Sequence, residues 1–141
     1  MTKRLLTREE ILSRKGQLAW RDVPMPEWGP DASVRVREMT SAERVKVEVG
    51  MIQTKGQNTG PNLQAYPLLR GRVLAKSCVD EQGRLLFSEE DVHTLTELGA
   101  GAIERLFDVA CALSGLSKED VNNLVGESEA SQNGDSPSDS A

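Results

Sequence analysis

The residues that could do chemistry in this chain are few, and they are scattered along the sequence. His93 is the single histidine, and Cys78 and Cys111 are the two cysteines, with no Cys-x-x-Cys pair. Zinc binding and Cys–His catalysis need such residues to converge, so the sequence supports neither. The acidic residues 89–91 are adjacent in the chain, which is typical of the first turn of a helix rather than of a catalytic carboxylate pair.

Two common catalytic and phosphate-binding motifs are also missing from the sequence. No serine lies in a Gly-x-Ser-x-Gly motif, and the glycine-rich residues 99–102 lack the pattern of a phosphate-binding loop. We therefore predict that the protein is not an enzyme, and that it has no catalytic residues, no cofactor and no metal site.

Charge and hydropathy argue against nucleic-acid and membrane partners. The chain has 141 residues and a net charge of −5, and residues 127–141 carry four of those negative charges. The remaining body is nearly neutral, which disfavours a dedicated nucleic-acid binder. No apolar run approaches the ~18 residues of a membrane-spanning helix, and the N-terminus does not resemble a signal peptide. We predict a cytoplasmic protein with reduced, buried cysteines.

The segment from residue 87 to residue 125 has the strongest helical pattern. Ser88 is a good N-cap, and the acids after it suit the positive end of a helix dipole. An apolar stripe at spacings of three and four then predicts an amphipathic helix that ends at Gly115. Its members are Ile103, Leu106, Phe107, Ala110 and Leu113. Ser117 and Asp120 have the spacing of a capping box for one more short helix.

The segment from residue 17 to residue 39 predicts a small sheet. Three prolines between residues 24 and 30 exclude a long helix, and residues 29–31 have the composition of a turn. Val34 and Val36 alternate with arginines, which is typical of a half-buried strand. Because a two-stranded ribbon is not stable alone in water, it should pack on the helices.

Two further helices are expected between the ribbon and residue 87. Thr40 and Glu43 form a capping box, and residues 53–66 lose all periodicity and predict a flexible loop. The apolar face of the helix after Thr40 consists of Ala42, Val45, Val49 and Ile52. Pro67 suits the first turn of the next helix, whose inner side runs from Leu69 to Cys78. The basic residues on its outer side suit either a solvated face or an anionic partner, and they are Arg70, Arg72 and Lys76.

These patterns predict an α+β, mainly α fold, in which a small N-terminal β-ribbon packs on a bundle of about four to five short helices. Three regions are expected. Residues 1–16 form a basic N-terminal helix or arm, and residues 17–126 form a single globular domain with the flexible loop at 53–66. Residues 127–141 form a disordered acidic tail, because no large apolar residue there can be buried.

Several short pieces between residues 20 and 125 are informative as a set. They are Pro26-Glu27-Trp28-Gly29; Val34-Arg35-Val36-Arg37-Glu38-Met39-Thr40 followed by Ala42-Glu43-Arg44; Val79-Asp80-Glu81 with Gly83; Leu86-Phe87-Ser88 with Asp91-Val92; and Leu106-Phe107, Val109-Ala110 and Leu113 to Ser117 with Asp120-Val121. Together they resemble the tail assembly chaperones of long-tailed bacteriophages and related prophages. The loop at 53–66 and the basic N-terminus depart from that family's pattern.

The resemblance implies a protein-binding function without catalysis. It implies that the chain binds the tape measure protein of its phage, keeps it soluble and helps recruit tail tube subunits. It also implies a place in the cytoplasm of the host bacterium and absence from the mature virion. Two alternatives remain open, a phage neck or connector structural protein and a small helical DNA-binding regulator. The latter is disfavoured because Glu104, Arg105 and Asp108 make a poor reader of base edges.

The partner surface is predicted from apolar side chains that have no evident place in the core. Thr7 and Glu10 can cap a short N-terminal helix, and the prolines near residue 24 leave a sheet edge open. Amphipathic helices and open strand edges both hold helical or extended chains. The predicted partner-binding residues are Leu5, Leu6, Ile11, Leu12, Met25 and Trp28. Exposed apolar side chains also favour self-association, so we expect a homo-oligomer without the partner.

Overall fold

The computed structural model describes residues 3–125, without the side chains of residues 53–55. Within these residues the chain forms six α-helices and five β-strands. The helices are α1 (Arg8–Leu12), α2 (Ser41–Gly50), α3 (Leu69–Ser77), α4 (Val92–Thr96), α5 (Ala100–Leu113) and α6 (Lys118–Val125). The strands are β1 (Trp20–Pro24), β2 (Ser33–Arg37), β3 (Ile52–Lys55), β4 (Asn58–Pro61) and β5 (Cys78–Val79). The predicted α+β, mainly helical fold is confirmed, and the predicted disordered tail lies outside the described residues.

The N-terminal ribbon is part of a three-stranded antiparallel sheet in the order β1-β2-β5. Trp20 pairs with Arg37 at one end of the β1–β2 ladder, and β5 then pairs Cys78 with Val36. The prediction that Cys78 belongs to the inner side of a helix is wrong, because α3 ends at Ser77 and the chain becomes extended at Cys78. Val36 and Cys78 are both buried, so the third strand closes the inner face of the sheet.

A second sheet replaces the first half of the predicted loop at 53–66. Strands β3 and β4 form an antiparallel hairpin from Ile52↔Pro61 to Lys55↔Asn58. Gly56 lies at the turn with a φ of 65°, a left-handed conformation that glycine adopts at little cost. The amide of Asn62 then donates to the carbonyl of Met51 at 2.8 Å and ties the base of the hairpin to the end of α2.

Local capping determines where the helices begin and end. The capping box of Thr40 and Glu43 forms as predicted, with the Glu43 amide donating to the Thr40 hydroxyl at 3.1 Å. The Asp120 amide likewise donates to the hydroxyl of Ser117 at 3.0 Å. Helix α5 ends at Leu113, just before Gly115, whose φ is 76°, and the amide of Leu116 donates to the carbonyl of Cys111 at 2.8 Å. These bonds satisfy backbone groups that a helix end leaves unpaired.

The core forms around α3, which is buried along most of its length. It contacts α2, α4, α5 and β2. Helix α5 packs against it through the predicted apolar stripe, in which Leu106 and Phe107 are buried and Leu113 is half-buried. Gly71 allows α3 and α4 to approach closely, since a Cβ atom there would lie 2.7 Å from the carbonyl oxygen of Val92. This arrangement leaves α1 and one face of α2 on the surface.

Candidate partner-binding surface

The two cysteines lie in the core and His93 is exposed on α4, so these residues form no catalytic arrangement. Both cysteines are free and buried, and burial raises the pKa of each thiol to about 12, so neither is a thiolate at neutral pH. Among residues 3–125 no group of three or more histidine, cysteine or acidic side chains is arranged to hold a metal ion. These thiols pack as small apolar groups.

A cleft of about 450 Å³ between α5 and α6 contains Asp108, a carboxylate with a raised pKa. Burial, and then the nearby charge of Glu104, raise the pKa of Asp108. Glu104 itself accepts a hydrogen bond from Arg70 at 2.6 Å, and the floor of the cleft includes Phe107 and the protonated Cys111. A raised carboxyl pKa can mark an active site, but here the cleft contains no activated nucleophile. The cleft is therefore a structural feature of the α5–α6 junction.

The N-terminal arm, residues 3–15, exposes four apolar side chains. Leu5 is 81% exposed, and Leu6, Ile11 and Leu12 are exposed as well. The predicted capping box of Thr7 forms within the arm, and α1 itself buries none of its residues. The arm therefore makes no contribution to the core.

Hydrogen bonds hold the N-terminal end of α1 in place despite its exposure. The Thr7 amide donates to the carboxylate of Glu10 at 2.8 Å, and this bond is the main cause that lowers the pKa of Glu10. Arg4 donates to the same carboxylate at 2.9 Å. The arm thus presents Ile11 and Leu12 on a defined turn of helix, whereas Leu5 and Leu6 lie on the extended segment before the N-cap.

Met25 does not lie on the surface, and the expectation that it is exposed is wrong. Its side chain is 0% exposed, and its amide donates to the carbonyl of Ala32 at 2.8 Å. After Pro24 the chain turns into a 3₁₀ helix over Pro26–Trp28, which directs Met25 into the core beside α5. Arg105 on α5 holds this turn through an ion pair with Glu27 at 2.8 Å.

Trp28 remains on the surface, 44% exposed, at the end of the same 3₁₀ turn. Its indole ring belongs to the turn that follows β1 and not to the sheet itself. Within residues 3–125 no hydrogen bond or ion pair joins this turn to the N-terminal arm. Five of the six predicted residues are therefore accessible to a partner, in two separate groups.

Sequence reasoning missed a third apolar surface, on α2. The predicted apolar face of this helix, Ala42, Val45, Val49 and Ile52, does not pack in the core, because all four residues are exposed. Helix α2 instead buries Val47, which lies on the opposite face. The sequence did contain a signal for the buried face, because Val47 and Met51 are apolar residues four positions apart. Both are buried in the structure.

The basic outer side of α3 is largely matched by acids. Arg70 pairs with Glu104 on α5 at 2.6 Å, and Lys76 pairs with Glu89 at 3.4 Å. The hydrogen bond from Arg70 to Glu104 is also the main cause that raises the pKa of Arg70. These pairs favour a solvated face with internal ion pairs over a phosphate-binding stripe.

No helix in the described part of the chain combines the length and hydropathy that crossing a membrane requires. A family model described as phage tail assembly chaperone matches residues 7–130. The fold is similar to the solved structure of the bacteriophage HK97 tail assembly chaperone, with a TM-score of 0.53 and 14% sequence identity, over 74% of this chain and 97% of that chain. At this identity the similarity shows the fold alone.

The search of curated proteins gave no match. The family match nevertheless covers most of the chain and confirms the resemblance found in the sequence. Because the matched region includes every described helix and strand, this protein belongs to the phage tail assembly chaperone family, whose members are not enzymes.

Proposed function

We propose that this chain binds the tape measure protein of its phage, keeps it soluble and helps recruit tail tube subunits during tail assembly. The observation that supports the proposal is the N-terminal arm, where Leu5, Leu6 and the α1 residues Ile11 and Leu12 are exposed and have no role in the core. A folded protein gains nothing from this apolar surface until a partner covers it.

The arm suits a helical, aggregation-prone partner because it is itself a short amphipathic element. Fully burying a leucine or isoleucine side chain contributes about 1.5–3 kcal/mol, so a few such contacts suffice for reversible binding. Trp28, on a separate turn, offers a large side chain of the kind that dominates binding energy at interfaces. Reversible binding is what an assembly factor needs, because it must release its partner when the tube forms.

The same surface accounts for the homo-oligomer that we propose. Without the partner, apolar side chains of neighbouring copies cover one another, and the chain forms a homo-oligomer.

The protein acts in the cytoplasm of the host bacterium and is absent from the mature virion. No membrane or nucleic acid takes part. Mass spectrometry of purified virions tests the last point, and stoichiometric recovery there would favour the neck or connector alternative.

Co-expression with the tape measure protein of the same phage tests the proposal. The tape measure protein should be insoluble alone, soluble in the presence of this chain, and recovered with it in one complex by size-exclusion chromatography. Unchanged solubility, with no common complex, would show that the chain is not a chaperone for this partner.

A matched pair of variants tests the role of the arm. The double substitution Ile11→Asp and Leu12→Asp should reduce recovery of the complex by about tenfold or more, because it places two charges in the apolar contact. Leu98→Asp changes an exposed apolar residue after α4 and should leave recovery unchanged. Equal recovery with both variants would mean that the partner binds elsewhere.

A further inference from the structure

Helix α2 presents an apolar seam with the spacing of a coiled coil. Ala42, Val45 and Val49 are exposed at intervals of three and four residues, and Val45 and Val49 are 50% and 62% exposed. Ile52, at the start of β3, is 48% exposed and lines a cleft with Arg44 and Glu48 beside the end of α2. Alternating intervals of three and four keep an apolar seam facing a neighbouring helix.

The opposite side of α2 is anchored, so the seam is presented on a preorganised helix. Val47 enters the core, and Glu43 accepts two hydrogen bonds from Arg37, at 2.9 and 3.0 Å. Arg44 donates to the carbonyl of Ser114 at 3.3 Å, which ties α2 to the end of α5. A partner that binds this face meets a helix that is already ordered, which lowers the entropic cost of binding.

The two flanks of the seam differ in charge. On one side Lys46, Arg72 and Lys76 border a shallow groove with Glu89, and Glu89 pairs with Lys76. This flank therefore has an excess of positive charge. On the other side Arg44 pairs with Glu48 at 3.1 Å, and Asp120 lines the same cleft, so this flank has no excess of positive charge. Within the described part of the chain Lys46 has no carboxylate within 4.0 Å.

We infer that the α2 seam, residues 42, 45, 49 and 52, binds an amphipathic helix of the chaperone's protein partner, one with apolar residues at 3–4 spacing and acidic residues along one edge. The inference rests on the proposed function, which supplies a long helical partner. The apolar residues of the seam, three and four positions apart, match a helix with apolar residues at the same spacing. The positively charged flank at Lys46 favours acidic side chains on that helix by charge complementarity. Nucleic acid fits less well, since the centre of the face is aliphatic rather than cationic or aromatic.

A synthetic peptide probe tests the inference without the natural partner. The probe is a helical peptide with leucine at 3–4 spacing and glutamate at the flanking positions, and its matched control has lysine at those positions. Fluorescence anisotropy with the full chain should show that the glutamate peptide binds more tightly than the lysine peptide, by about two- to fivefold. Lys46→Glu should remove or reverse this preference.

Substitutions in the seam should weaken binding of the glutamate peptide more strongly. Val49→Glu should weaken this binding by about tenfold or more. If that variant perturbs the fold, the milder Val49→Ser replaces it and should also weaken binding of the glutamate peptide. Leu85→Glu alters an exposed apolar residue beside Val79 in the sheet and should have no effect. Circular dichroism verifies that each variant keeps its helical content.

Three results would overturn the inference. They are absence of binding to either peptide, binding that Val49→Glu does not weaken, and a self-associating wild-type protein that Val49→Glu converts to a monomer. The last result would mean that a second copy covers the seam. Because the probe is not the tape measure protein, these results leave the co-expression test of the proposed function intact. Conversely, failure of co-expression with preserved peptide binding would refute the proposed partner alone.

Discussion

Gly71 should be among the least replaceable glycines in this protein, although it lies inside a helix. In α3 an alanine would place Cβ 2.7 Å from the carbonyl oxygen of Val92 and 3.0 Å from its Cγ1 atom. Helix propensity alone favours alanine over glycine by about 0.5–1 kcal/mol. Overpacking a core contact costs about 1–3 kcal/mol, and here the nearest atom belongs to the backbone. We therefore expect Gly71→Ala to lower the free energy of unfolding by about 1–2 kcal/mol.

Gly101 provides the matched control for this substitution. It lies in the first turn of α5, and a Cβ atom there would meet nothing within 4 Å in the described structure. Its φ is not positive, so alanine is compatible with the backbone. Gly101→Ala should therefore raise the free energy of unfolding by about 0.4–1 kcal/mol, mainly by restricting the unfolded chain.

Urea unfolding followed by far-ultraviolet circular dichroism measures both variants on one scale. With unchanged slopes, the two midpoints should move in opposite directions from the wild-type midpoint. The steric argument fails if Gly71→Ala is as stable as the wild type, or if both variants are stabilised alike. Either result would show that α4 shifts away from α3 at negligible cost.

Three other predictions concern the core, an ion pair and the thiols. Phe107→Ala should lower the free energy of unfolding by about 3–5 kcal/mol in the same urea assay, because Phe107 is buried in the main cluster; wild-type stability would place it outside the core. Burial, the largest single cause, would raise the pKa of Glu43, but the hydrogen bonds from Arg37 and Thr40 and the charge of Arg37 together outweigh it and lower the pKa below the ordinary 4.5. The pair therefore stabilises the fold above pH 4.5 and loses this effect as the pH falls through the folded-state pKa, so Glu43→Gln should lower the thermal midpoint at neutral pH and flatten its acid dependence. An unchanged acid dependence would contradict this assignment. Cys78 and Cys111 should resist Ellman's reagent at about pH 8 until the protein is unfolded, because burial holds their thiols protonated; rapid labelling of the native protein would contradict their burial.

Local signals predicted the beginnings and ends of helices well. The capping boxes at Thr7, Thr40 and Ser117 all form, and α5 ends at Leu113, just before the expected stop at Gly115. A capping bond joins groups about three residues apart, so its formation depends on local conformation rather than on the rest of the fold. The apolar stripe of α5 was also predictable, because it was the most regular in the chain and nearly all of it is buried.

Surface assignments were harder, because burial depends on neighbours that are distant in sequence. Val45 and Val47 are similar side chains two residues apart, yet α2 exposes the first and buries the second. The choice follows from contacts that orient the helix, such as that of Arg44 with the end of α5. Met25 is another example, since its burial depends on a turn held by Arg105, far along the chain.

The sequence by itself determined the helical character of the chain, the capped ends of its helices, the stripe of α5, the lack of catalytic motifs and the resemblance to a family. The hairpin over residues 52–61 is local, yet its sequence lacks the apolar alternation that predicts strands. Tertiary structure alone decided that Cys78 adds a third strand and that one face of α2 stays exposed. The physical reason is the range of the interactions. Caps and periodicity act within one or two turns of helix, whereas strand pairing and burial depend on which distant segments arrive at the same place.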